Sequence, residues 1–408
     1  MHFKTLHDMD LAGKIVLLRV DLNVPTDSDN HVTDTTRIDR LRPTIKHLQE
    51  KGAKTLILSH FGRPKGTPNA EFSLSFLPAV LSDRWGVSVQ FAENCIGAPA
   101  QTAANEVQDG EFILLENVRF HAGEETNDQA FAKELASLGD IYVNDAFSTA
   151  HRAHASTEAI AHLLPSAAGL LMEAELTALQ DALEAPERPV AAFVGGAKIS
   201  TKLDVLGNLI KKVDTLVLGG GMANTFLYAT GHDMRASLCE KDMASTAREI
   251  MQQARAENCE IILPIDGVAA EKFEANALHK SCKNDAIPKD YMVLDIGLET
   301  IEMLKEKIEE TRTLLWNGPM GAFEIVPFDR GTKELAQFAA EQTQDGKLIS
   351  IAGGGDTVAA LEKAEATKDF SYISTAGGAF LEWLEGKTLP GVAALCHADA
   401  EERTASHA

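Results

Sequence analysis

Three segments in the second half of the chain each run from a short apolar stretch straight into a glycine cluster. They are VAAFVGGAKIS (190–200), TLVLGGGMANTF (215–226) and KLISIAGGGDTVAAL (347–361). A strand that breaks into glycine and then into a helix is the grammar of a parallel α/β sheet. Such turns expose bare backbone N–H groups at a positive helix end, which suits phosphate. The first half lacks them and places Arg, His, Asp and Asn after its own apolar runs instead. One half is expected to take a nucleotide and the other a small anion.

The remaining pattern extends the same grammar. Apolar runs IVLLRV (15–20), TLILS (55–59), FILLE (112–116) and DIYV (140–143) alternate with helical stretches in the first half. Ile38, Leu41, Ile45 and Leu48 have helical spacing, with Pro43 a point of kink or restart. Residues 169–185 read as one helix before PERP (186–189), and VAAFV, TLVLG, EIILP, MVLDIG, TLLWN and KLISIAG then resume the alternation. The expected domains are 1–168, a connecting helix or hinge at 169–188, and 189–389, with a tail at about 390–408 expected to pack back on the first.

Composition narrows the partners. A net charge of −22 argues against nucleic acid or an anionic membrane surface. Against that background eight of fifteen Arg and nine of thirteen His fall within residues 1–170. Five scattered Cys without a CxxC pair predict neither a disulfide framework nor a zinc site. The N-terminus has no apolar signal region and no run approaches 18 apolar residues, so a cytoplasmic protein is expected.

Ligands of open parallel sheets bind beyond the strand carboxyl ends. By that rule RVDLNVP offers Arg19, Asp21 and Asn23, and SHFGRPKG offers His60 and Arg63. ENVRFHAGEE offers Arg119, NDAFSTAHRAH offers His151, Arg152 and His154, and Arg37 adds a further guanidinium. Guanidinium forks match carboxylate and phosphate, so the set suits a ligand carrying both. Asp21 and Asn23 also have the chemistry of plain turn residues. HRAH has no acidic or Cys partner at zincin spacing, so a metal reading is weak. In the second half no GxxxxGK[ST] and no GxGxxG follows a strand. What stands there are Gly195 and Gly196 with Lys198 and Lys202 on one face of a first helical turn, then Gly219 to Gly221. Gly353, Gly354 and Gly355 follow, leading into Asp356 and Thr357. Asp356 suits a phosphate-bound Mg²⁺, or simply a helix cap. A nicotinamide-dependent dehydrogenase and a two-lobed anion-binding protein share the build and remain alternatives at this point.

The ordered motifs RVDLNVP, SHFGRPKG, LLENVRFHAGEE, NDAFSTAHRAH, GGAKISTK, LVLGGGMANTFL, NGPMGAFE, IAGGGDT and LEGKTLPGV resemble the phosphoglycerate kinase family across nearly the whole chain. The resemblance implies two Rossmann-like domains with parallel sheets, joined by a helix with a cleft between them. It implies Mg²⁺-dependent phosphoryl transfer between 1,3-bisphosphoglycerate and ADP, in a monomer that closes about a hinge. Asp21, Asn23, Arg37, His60, Arg63, Arg119 and Arg152 would hold the phosphoglycerate. Arg37, Lys198, Gly353 and Gly354 would act on the phosphoryl group in flight. Gly195, Lys198, Lys202, Gly219, Asn317, Pro319, Glu324 and Gly354 to Thr357 would hold the nucleotide, with Asp356 meeting the metal. TAGGA (375–379) departs from the family pattern, with Ala376 where a further glycine is usual.

Overall fold

The computed structural model describes residues 2–396. Among these residues fifteen strands form three sheets. The first is six-stranded, built from β1 (Ile15–Arg19), β2 (Lys54–Leu58), β3 (Val89–Ala92), β4 (Phe112–Leu115), β5 (Ile141–Asn144) and β6 (Ser166–Ala168). Its order is β3-β4-β2-β1-β5-β6 and every neighbouring pair is parallel. The connection therefore changes direction between β1 and β5, the switch point where ligands of such sheets sit. Val16, Leu18 and Val20 bury one face of this sheet against Ile38, Leu41, Ile45 and Leu48, the residues picked out by helical spacing. Pro43 restarts the helix rather than kinking it: one short helix covers Thr36–Asp39 and a second, Arg42–Glu50, carries proline in its first turn, where no N–H bond is lost.

A second six-stranded sheet contains β7 (Val190–Val194), β8 (Thr215–Leu218), β9 (Glu260–Ile262), β13 (Thr313–Asn317), β14 (Ile349–Gly353) and β15 (Tyr372–Ser374). Its order is β15-β14-β13-β7-β8-β9, again all parallel, with the switch point between β7 and β13. Phe193, Leu314 and the fully buried Trp316 pack against Ile301, Leu304, Leu335 and Leu361. MVLDIG breaks the expected alternation. It forms β12 (Met292–Ile296), which pairs antiparallel with β10 (Asp266–Ala270), itself antiparallel to β11 (His279–Lys283). Apolar runs do not reveal the direction of pairing, so this third sheet is invisible to periodicity.

The chain divides into two compact units, one holding residues up to Leu176 and those from Thr388, the other Thr177–Lys387. One division falls inside the helix Leu170–Leu183, and the other leaves the segment after Thr388 with the first unit. There Gly391 N–H donates to the Ala150 carbonyl at 2.9 Å. The rest of the expected tail, 397–408, lies outside the described residues.

The helix Leu170–Leu183 is anchored by side chains from elsewhere in the first unit. Leu170 N–H donates to Thr44 Oγ1 at 3.1 Å and Met172 N–H to Asp145 Oδ1 at 2.9 Å. The preceding residue must be glycine, because a Cβ at Gly169 would lie 2.3 Å from Asp145 Cγ. Burial pushes the Asp145 carboxyl up from 3.8 to about 6, against the opposing pull of hydrogen bonds from the Thr44 hydroxyl and the Met172 and Leu171 N–H groups. A folded-state value above the unfolded one means that the fold holds this proton more tightly. Stability linked to it is present at low pH and is lost as pH rises through about 6. Wild type should accordingly lose on the order of 3 kcal/mol relative to Asp145→Asn between about pH 4 and pH 7. Paired denaturant titrations check this, and a gap independent of pH would contradict it.

Candidate active site

In the first unit the turns after β1, β2, β4 and β5 converge. Asp21 accepts from Arg37 Nη1, from the Ser148 hydroxyl beyond β5 and from Asn23 N–H. Asn23 Oδ1 accepts from Gly62 N–H at 2.9 Å, tying the β1 turn to the β2 turn. Arg119 donates from Nη1 to the Gly62 carbonyl at 2.8 Å, and its Nε lies 3.5 Å from Glu125. Arg152 Nε donates to His151 Nε2 at 3.1 Å. Residues expected to meet a ligand therefore also hold the turns together. Arg63 stands exposed on the turn after β2.

His60 registers how closely these cations gather. Burial, and then the charges of Arg19, Arg119, Arg152 and Arg37, hold its imidazole well below the ordinary value, so it is neutral. His154 is pushed down to about 4 by burial and by Arg119, Arg19 and Arg152. Four guanidiniums acting on one imidazole mark a local cluster of positive charge in an acidic protein. Besides Asp21 and Glu125, a fully buried carboxylate, Glu124, lies among these groups and is bonded to Ser156. Sequence reading passed over Glu124 and Ser156, because nothing in their local pattern distinguishes them from a surface Glu and a turn Ser.

In the second unit the site is made of backbone. The turns after β7 and β13 touch at the switch point: Gly195 N–H donates to the Asn317 carbonyl at 3.1 Å. A Cβ on Gly195 would lie 1.8 Å from the Pro319 carbonyl oxygen. A Cβ on Gly318, at φ 109°, would lie 2.3 Å from the Gly195 carbonyl oxygen. Gly219 caps the helix Gly220–Ala229, and Gly354, at φ 101°, caps the helix Gly355–Lys363. Gly353 packs against Phe380, whereas Gly355 and Asp356 stand exposed on the first turn of that helix. Thr357 is buried and its hydroxyl accepts Gly318 N–H at 2.8 Å, so it holds the β13 turn. Ala376 is buried with φ −95°, a backbone that alanine adopts without strain, so no glycine is required there.

Lys198 and Lys202 do not share a helical turn. Lys198 is extended, a 3-10 turn covers Ile199–Thr201, and Lys202 flanks the helix Leu203–Leu209. Lys198 is left exposed. Lys202 turns inward and donates from Nζ to the Asn317 carbonyl at 3.0 Å and to its side-chain Oδ1. Burial draws Lys202 down to about 8, partly offset by Asp356. Asn317 Nδ2 completes the cross-link to the Gly353 carbonyl at 2.8 Å.

Beside these turns lies a cavity of about 290 Å³. Gly196, Gly220, Pro319, Glu324 and Asp356 line it together with the apolar Leu238, Met292, Val293 and Met320. Asp266 and Asp295 from the antiparallel sheet complete the wall. Asp295 accepts Ile296 and Gly331 N–H, and Asp266 accepts Thr300 N–H, so both are spent on backbone. Asp266, Met292, Val293 and Asp295 lie within antiparallel strands rather than after a parallel strand and a glycine, which is why the strand-end rule does not find them.

The family model described as Phosphoglycerate kinase matches residues 6–387. The chain is 59% identical over 394 residues to "Phosphoglycerate kinase" of Chelativorans sp. (strain BNC1), covering 96% of this chain and 99% of that one. It is 60% identical over 395 residues to the protein of the same name from Rhodospirillum centenum, covering 97% and 100%. The solved structure of phosphoglycerate kinase from Coxiella burnetii is similar with a TM-score of 0.90 at 42% identity, covering 97% of this chain and 99% of that one.

The close approach at Gly195 yields a direct expectation. In Gly195→Ala the added methyl must push the Pro319 turn away, costing roughly 2 kcal/mol or more. Thermal unfolding and ADP titration should show lost stability together with weakened nucleotide binding. Unchanged ADP affinity in a destabilised variant would separate this turn from the nucleotide.

Proposed function

The chain belongs to the phosphoglycerate kinase family, and from that membership we propose how its two sites divide the work. The family reaction moves a phosphoryl group between the acyl phosphate of 1,3-bisphosphoglycerate and ADP, giving 3-phosphoglycerate and ATP. Arg37, Arg63, Arg119 and Arg152 take the carboxylate and phosphate of the phosphoglycerate, and His60 adds a neutral donor. Asp21 and Asn23 hold Arg37 and the β2 turn in register. The single observation behind this reading is the convergence of the turns after β1, β2, β4 and β5, which gathers Arg37, Arg119 and Arg152 around His60.

The nucleotide takes the cavity of the second unit. Its apolar walls suit a purine, Glu324 suits the ribose hydroxyls as an acceptor, and the turns at Gly195, Gly219 and Pro319 give the backbone room to approach. Lys202, with the N–H groups at Gly354 and Gly355, takes the phosphates. Asn317 and Thr357 act by holding these turns together. Asp356 is an exposed carboxylate at the mouth of a phosphate site beside Lys202, a donor that fits Mg²⁺ shared with phosphate oxygens and water. When bound there, the metal would neutralise phosphate charge.

Transfer needs placement and charge neutralisation rather than covalent help. Arg37 and Lys198 flank the moving phosphoryl group, and backbone N–H groups at 353–355 supply fixed dipoles. No general base is required, since the attacking oxygen is anionic in either direction. Placement of this kind lowers a barrier by about 7–11 kcal/mol. Bringing the two ligands together in line requires the units to close about a hinge and exclude water. A monomer acting in the cytoplasm is the simplest setting for this reaction.

A coupled assay of ATP-dependent phosphorylation of 3-phosphoglycerate, with and without Mg²⁺, tests the reading. Metal-dependent turnover is expected. Arg37→Ala should lower kcat by about 10²- to 10³-fold with the nucleotide KM almost unchanged. Lys202→Ala should instead raise the KM for ADP and ATP. A fall in phosphoglycerate affinity alone in the lysine variant would overturn the division.

A further inference from the structure

We infer that Arg19 is a positioning residue that locks His60 in its uncharged Nε2–H form, making it a permanent hydrogen-bond donor to the substrate. The inference rests on the assignment of phosphoglycerate to the cluster around His60. Arg19 ends β1 and is fully buried, and the site reading gives it no ligand. Its Nη2 lies 3.2 Å from His60 Nδ1. A guanidinium has donors and no acceptor, so Nδ1 must accept and therefore carries no proton. A neutral ring then keeps its proton on Nε2, which has no partner among the described residues.

Arg19 is itself held from behind. Its Nε donates to Ser156 Oγ at 2.9 Å, which obliges the Ser156 hydroxyl to donate onward to Glu124 Oε1 at 2.6 Å. Its Nη1 donates to the Val20 carbonyl. Each proton in the chain from His60 to Glu124 is thus fixed by the preceding bond. The buried carboxylate balances Arg19, so this guanidinium turns toward the imidazole rather than competing for the ligand. The arginines crowding His60 act in the same direction, since a second proton on the ring would add one more positive charge among them.

The test is long-range proton–nitrogen NMR on the full chain with nitrogen-15-labelled histidine, His60 being assigned by its loss in His60→Gln. The expected spectrum at neutral pH shows Nδ1 as unprotonated and Nε2 as protonated, with both resonances moving when 3-phosphoglycerate is added. In Arg19→Met the two neutral tautomers should mix, and the KM for 3-phosphoglycerate should rise roughly tenfold, the worth of one aligned hydrogen bond. The KM for ATP should stay unchanged. Arg19→Lys, which keeps a donor-only head, should recover the Nε2–H form. A proton on Nδ1 in the wild type, or an imidazolium at neutral pH, would overturn the inference even if Arg19→Met failed to fold. Resonances that ignore saturating 3-phosphoglycerate would overturn the role toward substrate. That outcome differs from absent Mg-dependent turnover, which would overturn the function itself.

Discussion

In both six-stranded sheets every neighbouring strand runs the same way, so all strand carboxyl ends lie along one edge. Parallel pairing forces each connection to cross over as a helix, and each crossover begins with a turn at that edge. Ten or so turn residues scattered over more than a hundred positions are thereby gathered into one patch per sheet. At the switch points, β1 beside β5 and β7 beside β13, neighbouring turns part in opposite directions and leave a crevice. Asp21 bridges the first to Ser148 and Gly195 touches Pro319 across the second.

The two crevices solve different problems with different materials. The first must concentrate positive charge within a chain of net charge −22. It does so with side chains and bears the repulsion among them by keeping its histidines neutral and burying Glu124 below. The second brings backbone turns into close contact with one another. It does so with glycines whose missing Cβ atoms would otherwise collide with Pro319, Gly196 and Asn317. One lysine is half-buried there and bonded to Asn317, and another is left exposed.

Much of this was legible because strand, turn and charge are local properties. Arg19, Asp21, His60, Arg119 and Arg152 all follow apolar runs, so a rule about strand ends locates them without coordinates. The small antiparallel sheet was not legible, since MVLDIG reads the same in either pairing direction. Nor was the inward turn of Lys202, which depends on an asparagine 115 residues away. Short strands such as Val89–Ala92 and Ser166–Ala168 escape because four or three residues carry too little period. Glu124 escapes for a related reason: its burial is set by Ser156 and Arg19, which are distant in sequence.

The central claim is that side-chain cations in one unit take the phosphoglycerate and glycine turns in the other take the nucleotide. A crystal structure with both 3-phosphoglycerate and ADP tests it most directly. The account predicts phosphoglycerate oxygens on Arg37, Arg119, Arg152 and His60, with the purine against Leu238 and Met320 and the phosphates at Lys202 and Gly354. Nucleotide phosphates on the arginines, or phosphoglycerate among the glycine turns, would contradict it.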